Sequence, residues 1–205
     1  MVAGRTAGVK ESELSFDVLH RYLVQFPWVV FLVVWFIAAF KTRTNEKRES
    51  SASRYFVMVL MILGYYCLFG SGIPIVFLHK RFVSLTQSAV VAGGVLTWLG
   101  IGLCLWARYH LAENWSARVT IKVGHELIRT GPYSYFRHPI YSGLLLAGVG
   151  TAIAFGELRG LLGVCFILTG FLIKAKKEEN MLIAQFGSAF EEHRRHTGFL
   201  LPRFH

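Results

Sequence analysis

The chain has 205 residues, 54% of them hydrophobic and 17% charged, and a formal net charge of +10. Soluble domains carry about 25% charged residues, and a mean hydropathy of +0.46 confirms the shortage of polar surface. The clumped apolar residues exclude a soluble domain, and they assign the excess positive charge to membrane topology rather than to nucleic acid.

Uncharged stretches cover residues 22–40, 55–78, 82–107, 139–156 and 160–173. Crossing about 30 Å of hydrocarbon takes roughly 20 apolar residues. The first three stretches meet that length, the fourth is marginal and the fifth is short. The helical pattern of the fifth runs on into KAKKEENMLIAQFG (174–187), which makes it a span with an extension. The expected fold is therefore an all-α integral membrane protein of five transmembrane helices. It forms a single membrane domain, 1–205, with an N-terminal three-helix part (1–107) and a chemistry-bearing part (108–205).

Residues 1–20 are polar. The first apolar run follows them, exceeds a signal-peptide core in length and lacks an A-x-A site, so it reads as a span. Pro27 lies near its outer end, where a helix tolerates it. Residues 41–53 form a hydrophilic link. Gly70, Gly72 and Pro74 predict a break or kink in the second span. Ala92, Gly93, Gly94, Gly100 and Gly102 suit the third span to close helix packing, and the fourth has the same small-residue character. Glu157, Leu158 and Arg159 are the whole connection between spans four and five, so these form a tight antiparallel hairpin. Cys67, Cys104 and Cys165 all fall in spans and read as buried thiols.

Sixteen of the 22 lysines and arginines fall in 41–54, 108–137 and 174–203, on one side of a five-span topology. This bias places the C-terminus in the cytoplasm and the N-terminus outside. The 108–138 connection and the C-terminal tail then share the cytoplasmic side. Both contain aromatic and aliphatic residues, so they predict an ordered cap over a pocket.

Two constellations could carry chemistry. GHELIRTGPYSYFRHPIY (124–141) has turn chemistry at Gly131-Pro132, and Pro139 suits the first turn of the fourth span. Arg137 and Tyr135 read as interfacial anchors. In KAKKEENMLIAQFG, Lys174, Lys177 and Glu178 share a helix face. The antiparallel hairpin sets Glu178 level with His138, so a carboxylate, an imidazole, a cation and tyrosines converge at one membrane rim. Phosphate-cradling glycine motifs are absent. His193 and His196 lack the H-E-x-x-H pattern and a third ligand at helical spacing, so no metal is expected.

GH-x-L-I-x-x-G-x-Y-x-x-x-RHP-x-Y, followed by EE-x-x-L-x-x-x-FG, resembles the isoprenylcysteine carboxyl methyltransferase family, in its short, five-helix prokaryotic form. The resemblance implies S-adenosylmethionine as cofactor, with S-adenosylhomocysteine as product. It implies that His125, Leu127, Ile128, Tyr133, His138, Pro139, Tyr141 and Glu178 line that cofactor. It also implies a location in the prokaryotic inner membrane. The family usually has an arginine where this chain has Lys174, a position that orients the acceptor carboxylate; lysine keeps the charge and loses the bidentate fork. Lys174, Glu178 and His138 are thus the expected catalytic set. The expected acceptor is a lipophilic or prenylated molecule drawn from membrane lipid, served by a monomer or weak oligomer. Phospholipid N-methyltransferases, thiol S-methyltransferases and NADPH-dependent sterol-type reductases carry related segments and stand as alternatives. A transporter is disfavoured, because no span interior carries an ionisable residue.

Overall fold

The computed structural model describes residues 17–39, 51–70, 72–111 and 127–204. The helices are α1 (Asp17–Ala38), α2 (Ser51–Phe69), α3 (Gln87–Leu111), α4 (Pro139–Phe155), α5 (Leu158–Phe186) and α6 (Ser188–His196). Short 3₁₀ turns occupy Val76–His79 and Gly131–Ser134. Among the described residues the only β pairing is a pair of isolated bridges. α1, α3 and α5 are long and apolar enough to cross a membrane, whereas α2 and α4 are shorter apolar helices. Leu32, Phe36 and Ile37 on α1 and Phe56 and Ile62 on α2 are exposed, a surface that suits lipid and not water. The protein is an all-α integral membrane protein.

Local chemistry explains where the helices bend and stop. A π turn, Arg21–Gln25, stands just before Pro27. Proline lacks an N–H and its ring crowds the carbonyl four residues back, so a widened turn absorbs the defect. The break anticipated at Gly70, Gly72 and Pro74 is a full stop: α2 ends at Phe69, with Gly70 N–H donating to Tyr66 O at 2.7 Å. α4 ends on Gly156, whose φ of +70° is the left-handed conformation that reverses the chain. The hairpin to α5 follows at once, as expected.

The close pairing of α3 with α4 centres the bundle. Gly93 and Gly100 face Gly150 and Gly143, and the sevenfold spacing keeps both contacts on one seam. A Cβ on Gly143 would lie 2.6 Å from Cys104 Sγ and from Gly100 O. Trp28 of α1 donates its indole N–H to Thr151 Oγ1 of α4 at 3.0 Å, so a third helix is tied to the same seam. α5 packs on α2 as well as on α4. At the end of the bundle away from His138, buried Arg159 pairs with Glu157 at 2.5 Å and donates to Gly70 O at 2.6 Å. It reaches Cys67 O and Leu68 O at 3.2 and 3.3 Å, satisfying the carbonyls left open where α2 stops. Cys67 and Cys104 are buried, but Cys165 is exposed on the outer face of α5 and corrects the expectation of three buried thiols.

α5 runs unbroken for 29 residues, roughly 44 Å at 1.5 Å per residue. Its second half therefore carries the Lys174–Phe186 segment beyond the apolar part of the bundle, beside the start of α4. The seam makes a specific prediction. Gly143→Ala should destabilise the detergent-solubilised protein by about 1–3 kcal/mol through overpacking. Gly102→Ala, where a Cβ meets nothing within 4 Å, should be neutral or gain up to ~1 kcal/mol of helix propensity. Thermal unfolding of the two variants side by side checks the contrast.

Candidate active site

The chain enters α4 through a turn that leaves little freedom. Gly131 takes a φ of +60°, Pro132 is fully buried, and Tyr133 turns into the core beside Cys104 and Ile140. Tyr135 and Phe136 both donate backbone N–H groups to Pro132 O, at 3.1 and 3.0 Å. His138 then occupies the position before the first helical residue, Pro139, and is 7% exposed.

Two successive glutamates of α5 meet the His138 ring. Its Nδ1 lies 3.5 Å from Glu178 Oε2 and its Nε2 lies 3.4 Å from Glu179 Oε1. Carboxylates only accept, so a carboxylate beside each ring nitrogen favours the protonated imidazole. Burial opposes that charge, yet the hydrogen bonds and charges of Glu178 and Glu179 outweigh it and hold the His138 pKa above the ordinary histidine range. Tyr141, one turn along α4, donates its hydroxyl to Glu178 Oε1 at 2.5 Å. Its ring is sandwiched between His138, 5.5 Å away with planes 8° apart, and Phe171 of α5, 4.6 Å away at 12°. Lys174 Nζ lies 5.5 Å from the centroid of the same ring and acts electrostatically on Glu178. Phe171, Lys174 and Glu178 fall at i, i+3 and i+7 and present one face of α5.

His138, Pro139, Tyr141, Lys174 and Glu178 thus come together as the hairpin argument requires. Tyr133 lies one layer deeper in the core. Leu127 and Ile128 are half-buried, and Ile128 packs against the core cluster. His125 lies outside the described residues. Arg137 departs from the sequence reading. It is not a surface anchor: its Nε donates to Glu179 Oε1 at 2.5 Å, and both side chains are 12% exposed. Glu179 bonds both Arg137 and His138. The clue to the pair was the doublet pattern, Arg137-His138 opposite Glu178-Glu179, which balances two cations against two anions. His193 is also buried. Desolvation, with Arg129, Arg137 and His196 nearby, pushes it down to about 4 and keeps it neutral. Among the described residues no group of three His, Cys, Asp or Glu side chains could hold a metal ion.

The raised His138 pKa fixes a sign. The folded protein holds this proton more tightly than the unfolded chain, so its stabilisation is full on the acid side of the histidine range. It is lost as pH rises through the elevated folded value. The Tm advantage of the wild type over His138→Gln should accordingly shrink from pH 6 towards pH 9, which a thermal-shift series in detergent measures. A constant difference across that range would mean that the ring is neutral.

The family model for the isoprenylcysteine carboxyl methyltransferase (ICMT) family matches residues 94–184, the segment that contains this cluster. The protein-S-isoprenylcysteine O-methyltransferase of Saccharomyces cerevisiae is 29% identical over 120 residues, 57% of this chain and 50% of that protein. The enzyme of the same name from Schizosaccharomyces pombe is 32% identical over 79 residues, 38% of this chain and 34% of that protein. This chain therefore matches half or less of the length of each of these relatives. The structure of the eukaryotic intramembrane Ras methyltransferase ICMT aligns with a TM-score of 0.49 and 20% identity, over 75% of this chain and 54% of that one. The similarity to the isoprenylcysteine carboxyl methyltransferase family is thus concentrated in the segment that builds the site.

Proposed function

We propose that the protein is a membrane-embedded methyltransferase that uses S-adenosylmethionine and acts on a lipophilic acceptor carboxylate, as an isoprenylcysteine O-methyltransferase does. The observation that carries this reading is the pairing of Glu178 with His138 and Tyr141 at the rim of the bundle, inside the family-matched segment. The donor set fits the cofactor. Glu178 is a 23% exposed carboxylate that can accept from ribose hydroxyls or an ammonium group. His138, Tyr141 and Phe171 supply aromatic surface beside it. When bound, the cofactor supplies an electrophilic methyl group on a sulfonium whose departure leaves a neutral thioether.

The residues favour a carboxylate acceptor over an amine. A carboxylate needs placement and partial desolvation, with no base. An amine would first have to lose a proton. The two carboxylates favour a proton on each nitrogen of His138, and Glu179 is committed to Arg137 and His138. Neither is available as a base. Lys174, opposite the Tyr141 ring, supplies a positive charge to orient the acceptor carboxylate without the fork of an arginine. The apolar faces of the helices offer the acceptor's hydrocarbon a route from lipid. We further propose that residues 1–107 scaffold the bundle and 108–205 bind the cofactor. The same reading places the site end in the cytoplasm, in a prokaryotic inner membrane, with the chain acting as a monomer or weak oligomer.

Calorimetry on detergent-purified protein tests the reading. S-adenosylhomocysteine should bind, and Glu178→Ala should weaken it at least about tenfold, equivalent to ~1.4 kcal/mol. Lys174→Ala should leave that affinity nearly intact while raising the KM for a prenylcysteine acceptor. Tight NADPH binding with none of S-adenosylhomocysteine would instead establish the reductase alternative.

A further inference from the structure

The last residues of the chain lie against the same wall. Residues 197–204 run antiparallel to nothing in a sheet; they make a single parallel bridge, Phe136 with Gly198. Arg137 N–H donates to Gly198 O at 2.8 Å, and Gly198 N–H and Arg203 N–H donate to Tyr135 O at 3.0 and 3.1 Å. Ser142 Oγ of α4 donates to Leu200 O at 2.6 Å. The segment is therefore a strap across the entrance of α4, and Phe199 sets its ring edge-on to His138, 5.2 Å between centroids.

One side chain joins this strap to α5. Arg137 uses Nε for Glu179, and its Nη1 donates to Thr197 O at 2.6 Å and Arg194 O at 3.3 Å. The guanidinium also lies 5.4 Å from the centre of the Phe199 ring. The planar fork is what lets one residue bond the α5 carboxylate together with the carbonyls of Arg194 and of Thr197 at the start of the strap; an ammonium offers no such fixed geometry. The Nε and Nη1 contacts are directed at protein, so Arg137 acts on the site through other groups.

We propose that Arg137 is a positioning residue that locks residues 197–204 across the rim, so that Phe199 closes over His138 and retains the bound cofactor. The retention half rests on the S-adenosylmethionine reading given above. The strap is a short irregular segment whose residues 201–204 are exposed, the kind of element that opens first when a tether is cut.

Two measurements on the 205-residue chain in detergent test the idea: hydrogen exchange of residues 197–204 without ligand, and the dissociation rate of S-adenosylhomocysteine. Arg137→Lys keeps the charge beside Glu179 and loses the fork. It should raise strap exchange and ligand dissociation by about tenfold or more. Phe199→Ala should speed dissociation while leaving the exchange of Gly198 and Arg203 near wild type. Wild-type exchange and dissociation in Arg137→Lys would overturn the positioning role, since charge alone would suffice. Faster exchange with unchanged dissociation in Arg137→Lys, or unchanged dissociation in Phe199→Ala, would overturn the retention role. If the wild type binds no S-adenosylhomocysteine, the cofactor reading falls and retention falls with it. If the wild type binds but the variants release the ligand at the wild-type rate, only the present proposal falls.

Discussion

An imidazole held between two carboxylates at the edge of an apolar bundle constrains everything around it. Charges in such a place are expensive unless paired and hydrogen-bonded. His138 obtains both partners from successive residues of one helix, Glu178 and Glu179. Side chains at adjacent helical positions diverge by about 100°, so both can reach one ring only if it sits between their directions. That requirement fixes the height and rotation of α5 relative to the start of α4. The short hairpin at Gly156 and the glycine seam between α3 and α4 allow that placement. The Arg159 network anchors the far end of the same hairpin.

The chemistry follows from how the charges are allotted. Glu179 neutralises Arg137 and one face of His138, which makes it the structural member of the doublet. Glu178 is the more exposed of the two, and its other partner is a tyrosine hydroxyl that a ligand can replace. In the proposed function, a group of this kind would accept hydrogen bonds from polar cofactor atoms. The His138 ring stabilises that carboxylate, an arrangement that suits the proposed acceptor, which is nucleophilic as it arrives. Under the methyltransferase reading proposed above, catalysis would come from placement and exclusion of water, in keeping with a displacement that generates no charge on the leaving group.

Much of this was legible in the sequence, for identifiable reasons. Apolar runs mark helices directly, and the short connection read at Glu157, Leu158 and Arg159 makes two distant motifs neighbours by simple counting. That is why His138, Tyr141, Lys174 and Glu178 could be grouped from their spacing alone. Arg137 was misjudged because an arginine at a membrane rim usually snorkels. Nothing local shows that a carboxylate forty residues on, and carbonyls sixty residues on, will bury it. The strap was invisible for a related reason: its bonds run through backbone atoms, which every sequence possesses. The full stop of α2 was underestimated because a glycine pair and a proline in a long apolar run fit a kink as well as an end. Cys165 shows the remaining limit, since a residue type says nothing about which side of a lipid-facing helix it occupies.

In the proposed function Glu178 exchanges its tyrosine partner for the cofactor. A structure of the protein with S-adenosylhomocysteine bound tests this most directly. The account predicts the ribose or the amino group within hydrogen-bonding distance of Glu178, the Tyr141 hydroxyl displaced from it, and the His138–Glu179 and Arg137–Glu179 contacts intact. Ligand lodged away from α5, or Glu178 still bonded to Tyr141 in the bound state, would contradict it.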